Sequence, residues 1–186
     1  MNKHITVGIQ VDAYLQKAIA KATKPLLDLP VRWHKKDSLH IMLISLGWML
    51  DDDITKVLDA VSTIATQTRG FSMSFQKIVG VSKNISLTDP INTQIIRLEG
   101  PPSDQLQLIF EQISDALHIP REAKKSFKPF ITLGRMRQNQ WQKLTEHPLI
   151  HIPFVVQMEV SYIAVFERQS EKGITNFETI GAFELQ

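Results

Sequence analysis

Phe127-Lys128-Pro129-Phe130-Ile131-Thr132-Leu133-Gly134-Arg135 has the alternation of a strand buried on one side. Successive side chains of a strand point to opposite faces, so Phe130 and Thr132 share one face while Ile131 and Leu133 share the other. An earlier stretch, Leu39-His40-Ile41-Met42-Leu43, repeats the pattern, with His40 and Met42 on one face and Ile41 and Leu43 opposite. A glycine follows each stretch, Gly47 after the first and Gly134 after the second. The apolar pairs are expected to lie against helices. Two such strands, one from each half of the chain, present residues 40, 42, 130 and 132 to a shared cleft holding one histidine and one threonine.

The surrounding sequence supplies those helices. Asp12 offers an N-cap to a helix whose apolar positions are Leu15, Ala18, Ile19, Ala22 and Leu26. Asp51, Asp52 and Asp53 place negative charge at the start of a second, where it complements the macrodipole. Ile54, Val57, Leu58, Val61, Ile64 and Ala65 then follow helical spacing. Pro101-Pro102-Ser103-Asp104 opens a third, with Leu106, Ile109, Phe110, Ile113, Ala116 and Leu117 on its apolar face. Strand-like runs are Ile5 to Val11, Val31 to His34, Leu39 to Leu46, Phe71 to Val79, Thr93 to Leu98, Phe127 to Leu133, Phe154 to Phe166 and Asn176 to Leu185. The order strand–helix–strands, met twice, predicts an α+β fold of two related halves, each an antiparallel sheet covered by helices, with a groove between them. No low-complexity linker divides residues 1–186, so one domain is expected.

Composition narrows the function classes. The chain has 186 residues, 43% hydrophobic and 22% charged, as a globular protein does. Its formal charge of +2 argues neither for nor against nucleic acid, so any electrostatic case rests on where charges cluster. The absence of cysteine excludes disulfides, thiolate metal sites and a cysteine nucleophile. Met1-Asn2-Lys3-His4 lacks the apolar core of a signal peptide, and no stretch approaches the ~18 apolar residues of a membrane-spanning helix. A cytoplasmic protein with no membrane partner is the expectation.

The two strand motifs and their flanks resemble the 2H phosphoesterases, and among them the RNA 2′,3′-cyclic phosphodiesterases, also called 2′-5′ RNA ligases or LigT-like proteins. That family carries two His-x-Thr motifs lining a groove. Its first, Arg-Trp…Leu-His-x-Thr-Leu…Leu-Gly, is matched by Arg32-Trp33…Leu39-His40-Ile41-Met42-Leu43…Leu46-Gly47. Its second, Phe-x-Pro-His-x-Thr-Leu-x-Arg, is matched by Phe127 to Arg135. The resemblance extends over nearly the whole chain. Two departures fall at the chemistry: Met42 stands in place of the first threonine, and Phe130 in place of the second histidine.

The resemblance implies that His40 keeps one acid/base role, and that Thr132 and Arg135 hold phosphate oxygens. Phe130 neither gives nor takes a proton, and Met42 offers a weak thioether acceptor. A missing acid or base costs about 10²–10⁴ in rate, so cyclic phosphodiesterase activity is expected to be absent or weak. The implied partner is RNA or a nucleotide with a 2′,3′-cyclic phosphate, bound by a monomer, with neither metal nor cofactor. The other reading is a non-catalytic RNA- or nucleotide-binding or interaction protein on the same fold.

Basic residues cluster around both motifs. Arg121, Lys124, Lys125, Lys128, Arg135 and Arg137 bracket the second, and Arg32, Lys35 and Lys36 precede the first. Parity puts Lys128 on the face of Phe130 and Thr132, as a further phosphate-binding candidate. Arg135 falls on the opposite face and reaches the groove only if Gly134 permits a bulge or the strand ends there. Of the remaining histidines, His34 is the one placed to approach the groove. His4, His118, His147 and His151 read as having no special role. Trp33 is expected to serve core or strand packing rather than to pack beside the groove or stack on a base, and Trp48 and Trp141 to serve packing, with Trp141 on a short helix.

Overall fold

The computed structural model describes residues 2–82, 90–120, 126–171 and 174–186. Its elements run in the order β1 (Lys3–Gln10), α1 (Ala13–Ala22), β2 (Val31–Trp33), β3 (His40–Met49), α2 (Asp51–Gln67), β4 (Phe71–Ser82), β5 (Thr93–Glu99), α3 (Asp104–Ala116), β6 (Phe130–Met136), α4 (Gln138–Trp141), β7 (His151–Val160), β8 (Tyr162–Glu171) and β9 (Ile174–Glu184). The architecture is α+β, as the sequence predicts.

Local chemistry sets the helix ends. The Asp12 carboxylate accepts a hydrogen bond from the Leu15 N–H at 2.6 Å, and the Ser103 hydroxyl accepts one from Leu106 at 3.3 Å. Each cap satisfies one of the N–H groups that a helix start leaves unpaired, a contribution of about 1 kcal/mol. The three aspartates expected at a helix start form the first turn of α2. The helices bury one stripe each: Leu15 and Ile19 of α1, Ile54, Val57, Val61, Ile64 and Ala65 of α2, and Leu106, Ile109 and Ile113 of α3. Fully burying such a side chain is worth about 1.5–3 kcal/mol. In α3 the expected stripe is wrong at one position, where Ala116 is exposed and Ser114 is buried, its hydroxyl donating to the Phe110 carbonyl at 2.7 Å.

All the strands pair antiparallel in one sheet, ordered β7-β4-β5-β6-β3-β1-β8-β9, with β2 paired to β6. The order is nearly symmetric about its middle. There β3 and β6 meet at a single pair, Ile41 opposite Ile131, so two half-sheets splay apart on either side of it. The run Phe154 to Phe166, expected as one strand, is two. Strand β7 lies at the edge of one half beside β4, while β8 lies in the other half beside β1. Only Ser161 separates them, and three consecutive Cα atoms span less than ~8 Å. The sheet therefore curls until its far edge returns to the opposite half. The Gly70 N–H donates to the Gln186 carbonyl at 2.8 Å, tying the chain end into that junction.

Strand β6 begins at Phe130, three residues later than expected. The Phe127 and Pro129 carbonyls instead accept from the Ser103 and Gly100 N–H groups, both at 3.0 Å, just before α3. Among the described residues, no helix is long and apolar enough to cross a membrane.

Candidate active site

The two central strands carry the same irregularity at matching places. On β3, Met42 pairs with Gly8 and Ile44 with Val7, so Leu43 is an extra residue in the ladder. On β6, Thr132 pairs with Arg97 and Gly134 with Ile96, so Leu133 is the extra residue. Leu43 and Leu133 lie 133 − 43 = 90 positions apart, as do His40 and Phe130, Met42 and Thr132, and Ile41 and Ile131. A bulge shifts the alternation by one. Beyond it the residue three places on returns to the face of Met42 or Thr132, namely Ser45 on β3 and Arg135 on β6. The condition set by the sequence for Arg135 is thus met by the bulge at Leu133 beside Gly134.

One cleft of about 250 Å³ collects these residues from both halves: His40, Met42 and Ser45 from β3, and Phe130, Thr132 and Arg135 from β6. A close approach of backbones allows it. A Cβ on Gly134 would lie 2.6 Å from Val31 Cγ1 and 3.1 Å from the Arg32 carbonyl oxygen, so only glycine lets β2 lie against β6 there.

His40 sits at the start of β3, its ring 4.8 Å from Phe166 and 4.3 Å from Phe177 between centroids. Its Nδ1 lies 2.9 Å from the Ser38 carbonyl oxygen, which can only accept, so Nδ1 carries the hydrogen and the lone pair of the neutral ring is on Nε2. Burial lowers the His40 pKa, and the Ser38 hydrogen bond offsets part of that. Met42 is 38% exposed, its thioether beside the cleft. Phe130 packs beneath Arg97, whose guanidinium carbon stands 5.0 Å from the ring centroid. Arg97 is fixed in turn by Glu99, with Nε at 2.6 Å from its carboxylate.

His34 also reaches the cleft. Its backbone N–H donates to the Leu133 carbonyl at 2.9 Å, which fastens it to the bulge of β6. Burial lowers its pKa first, and the nearby Arg135 and His40 lower it further. His4, to which the sequence assigned no role, lines the cleft as well, its Nδ1 buried with no hydrogen-bond partner among the described residues. Alternation along β1 places it on the face of Thr6, a further lining residue; that signal was present in the sequence. Arg168, opposite His4 on β8, and Thr175 and Phe177 of β9 complete the wall. These come from the end of the chain, and no local pattern marked them.

Several expectations are corrected. Lys128 is exposed, precedes β6, and is not among the cleft residues, because strand parity does not extend back through Pro129. Trp48, expected to pack, is 71% exposed and meets the His4 ring edge-on at 5.5 Å. Trp141 is buried on α4 as expected, its Nε1 donating to the Pro90 and Ile91 carbonyls at 3.1 Å. His147 packs against Trp141, while His118 and His151 lie outside the cleft. Arg121, Lys124 and Lys125 lie outside the described residues. Among the described residues, no group of three or more histidine and carboxylate side chains is placed to hold a metal ion.

Solved structures with the same architecture decide the fold. Escherichia coli LigT complexed with 3′-AMP superposes with a TM-score of 0.75 at 16% identity, covering 100% of this chain and 99% of its own. The chain has the LigT fold. The LigT complex with NADP+ gives 0.71 at 16% identity, and a crystal structure of a phosphoesterase 0.74 at 15%, each covering 100% of this chain and 99% of its own. No family model and no curated protein sequence matches the chain. The LigT fold is thus kept at a level of identity where whole-sequence similarity has faded. In this chain it brings His34, His40, Thr132 and Arg135 to one cleft.

Proposed function

We propose that this cleft binds RNA ends or nucleotides carrying a 2′,3′-cyclic phosphate, and that hydrolysis there is slowed by the loss of a histidine at position 130. The observation that carries this reading is the convergence in one cleft of His40 from β3 with Thr132 and Arg135 from β6, Arg135 by way of the bulge at Leu133. Thr132 and Arg135 supply a hydroxyl and a guanidinium for the phosphate oxygens, the pairing best suited to bind them. His40 offers one proton donor or acceptor. On β6 no second one stands opposite, since Phe130 fills that place under Arg97.

A longer RNA is favoured over a free nucleotide by the neighbouring hollow of about 220 Å³. Arg32, Trp33, His34, Lys35, Arg135 and Arg137 line it, and no carboxylate does among the described residues. Arg32 and Arg135 are direct cross-strand partners. The protein acts as a cytoplasmic monomer in this reading. The second reading, binding without turnover, is favoured by Phe130 itself.

A short RNA ending in a 2′,3′-cyclic phosphate is expected to bind at low salt, with affinity falling as salt rises, as counterion release requires. Removing both phosphate contacts in Thr132→Ala/Arg135→Ala should weaken binding by about 10²-fold or more, since hydrogen bonds to charged groups contribute ~1.5–3 kcal/mol each. Fluorescence anisotropy measures both. An RNA that fails to bind at low salt overturns the reading.

A further inference from the structure

We propose that His34 supplies the second acid/base group of this cleft, in place of the histidine that position 130 lacks. The proposal rests on reading the cleft as a cyclic-phosphate site. Three observations carry it: His34 lines the same cleft as His40, it is fastened to the backbone of β6, and it flanks the residues assigned to the phosphate.

The strand pairings fix where it stands. Ile41 pairs with Ile131, which sets His40 level with Thr132 along one edge of β6. Strand β2 continues along that same edge, Trp33 pairing with Gly134, and the His34 N–H then reaches the Leu133 carbonyl. Both imidazoles thus enter from one edge, on either side of the segment 36–38 that turns away between them as a single 3₁₀ turn. Thr132 stands level with His40, and Arg135 lies beyond His34, level with Arg32. No carboxylate lines the cleft among the described residues, so the proton carriers there are imidazoles. His4 is the other candidate. It lies on β1, separated from β6 by β3, and its ring meets Trp48. His34 is bonded to β6 directly.

The reaction assigned to the pair is hydrolysis of the cyclic diester. Neutral His34 takes a proton from water as the water oxygen forms a bond to phosphorus. The bond from phosphorus to one ribose oxygen breaks, and His40 gives that oxygen its proton. The product is a ribose monophosphate with one free hydroxyl, and the added atoms are those of one water. The charged and titratable groups around His34 among the described residues are Arg135 from β6, His40 from β3, His4 and Arg168 across the cleft, and Arg32, Lys35 and Arg137 in the neighbouring hollow. Burial first, and then the charges of Arg135 and His40, lower the His34 pKa and so favour the neutral form that a base requires. Burial also lowers the pKa of His40, so its protonated form persists only on the acid side of its ordinary value of 6.5. The optimum of kcat/KM, which reports the free enzyme, is therefore expected below pH 6.5.

The experiment measures hydrolysis of a short RNA 2′,3′-cyclic phosphate across pH by the wild type, His34→Ala, His34→Gln and His4→Ala. It also measures binding of the same RNA. Slow wild-type turnover is expected, with kcat lower by about 10²-fold in both His34 variants at little change in affinity. Loss of one limb of the pH profile and partial recovery of His34→Ala on adding imidazole are expected with it. A purely structural role moves neither the limb nor the rescue. Turnover unchanged in the His34 variants, lost in His4→Ala instead, or absent in a wild type that binds the RNA would each overturn the proposal while leaving the binding reading intact. Absence of binding overturns both.

Discussion

In a His34→Ala background, placing histidine at position 130 raises the rate of cyclic-phosphate hydrolysis by roughly 10²–10⁴, the usual contribution of one positioned acid or base, and in the wild type, where His34 supplies that group, the gain is smaller. Phe130→His is a favourable substitution for this purpose. The position is half-buried and already lines the cleft, so the new imidazole inherits an aromatic ring's place. It sacrifices apolar contact and the stacking of Arg97 over the phenyl ring, worth about 0.5–1 kcal/mol at a partly exposed site. Arg97 remains anchored by Glu99 at 2.5 Å. Its positive charge favours a neutral imidazole at 130, suited to accept a proton. Phe130→Ala, which opens the same space without a titratable group, is expected to give no gain. Adding Met42→Thr should raise kcat further, by supplying a hydroxyl to charge that develops on the phosphate. The comparison is made by single-turnover hydrolysis with saturating protein. If His34 already serves as the base, the gain from Phe130→His is larger in a His34→Ala background. No gain in either background would show that position 130 does not face the reacting phosphate.

The other large effect is on stability. Gly8 lies where β1 meets the bulge of β3, and a Cβ there would stand 2.3 Å from the Ile41 carbonyl oxygen and 3.3 Å from its carbon. These are backbone atoms in the middle of the sheet, and they have no rotamer by which to move aside. Gly8→Ala must separate β1 from β3 or distort the bulge, at a cost of about 3 kcal/mol, the upper end for overpacking. For a chain of this length, that lowers the unfolding temperature by roughly 6–12 °C. The site suffers too, because His40 Cδ2 is 3.5 Å from the same Cβ position. Gly47→Ala is the informative comparison. Gly47 has φ +77° and nothing within 4 Å of its Cβ position, so only backbone strain of about 1–2 kcal/mol opposes the change. Thermal unfolding should rank Gly8→Ala well below Gly47→Ala. Equal losses would mean that the approach of β1 to Ile41 is looser than described.

Much of this architecture was legible in the residues. The helices follow apolar spacing and the caps Asp12 and Ser103, and both motif strands follow alternation. What escaped was set by contacts distant in sequence. The run from Phe154 to Phe166 reads as one strand because no glycine or proline interrupts it after Phe154. Its buried positions, however, change pattern, alternating at Met158 and Val160 and then running unbroken from Ile163 to Phe166. That change marks the break at Ser161, where the chain leaves one half of the sheet for the other. Arg135 is three places from Thr132, an odd step that strict alternation sends to the far face. Only the bulge at Leu133 restores it, and Gly134 was the visible cue. Lys128 failed in the opposite way, since parity was extended through a proline that lies outside the strand. His4 and Arg168 line the cleft by pairing across β1 and β8, a register fixed by tertiary packing rather than by either segment alone.

The phosphate is expected to lie between the two halves, and the structure of the protein with a nucleoside 2′,3′-cyclic phosphate bound tests this most directly. The expected result places the phosphate within hydrogen-bond distance of the Thr132 hydroxyl and the Arg135 guanidinium, with a ribose oxygen or a water facing His40 Nε2. A phosphate bound elsewhere on the molecule, with this cleft holding only solvent, would contradict it.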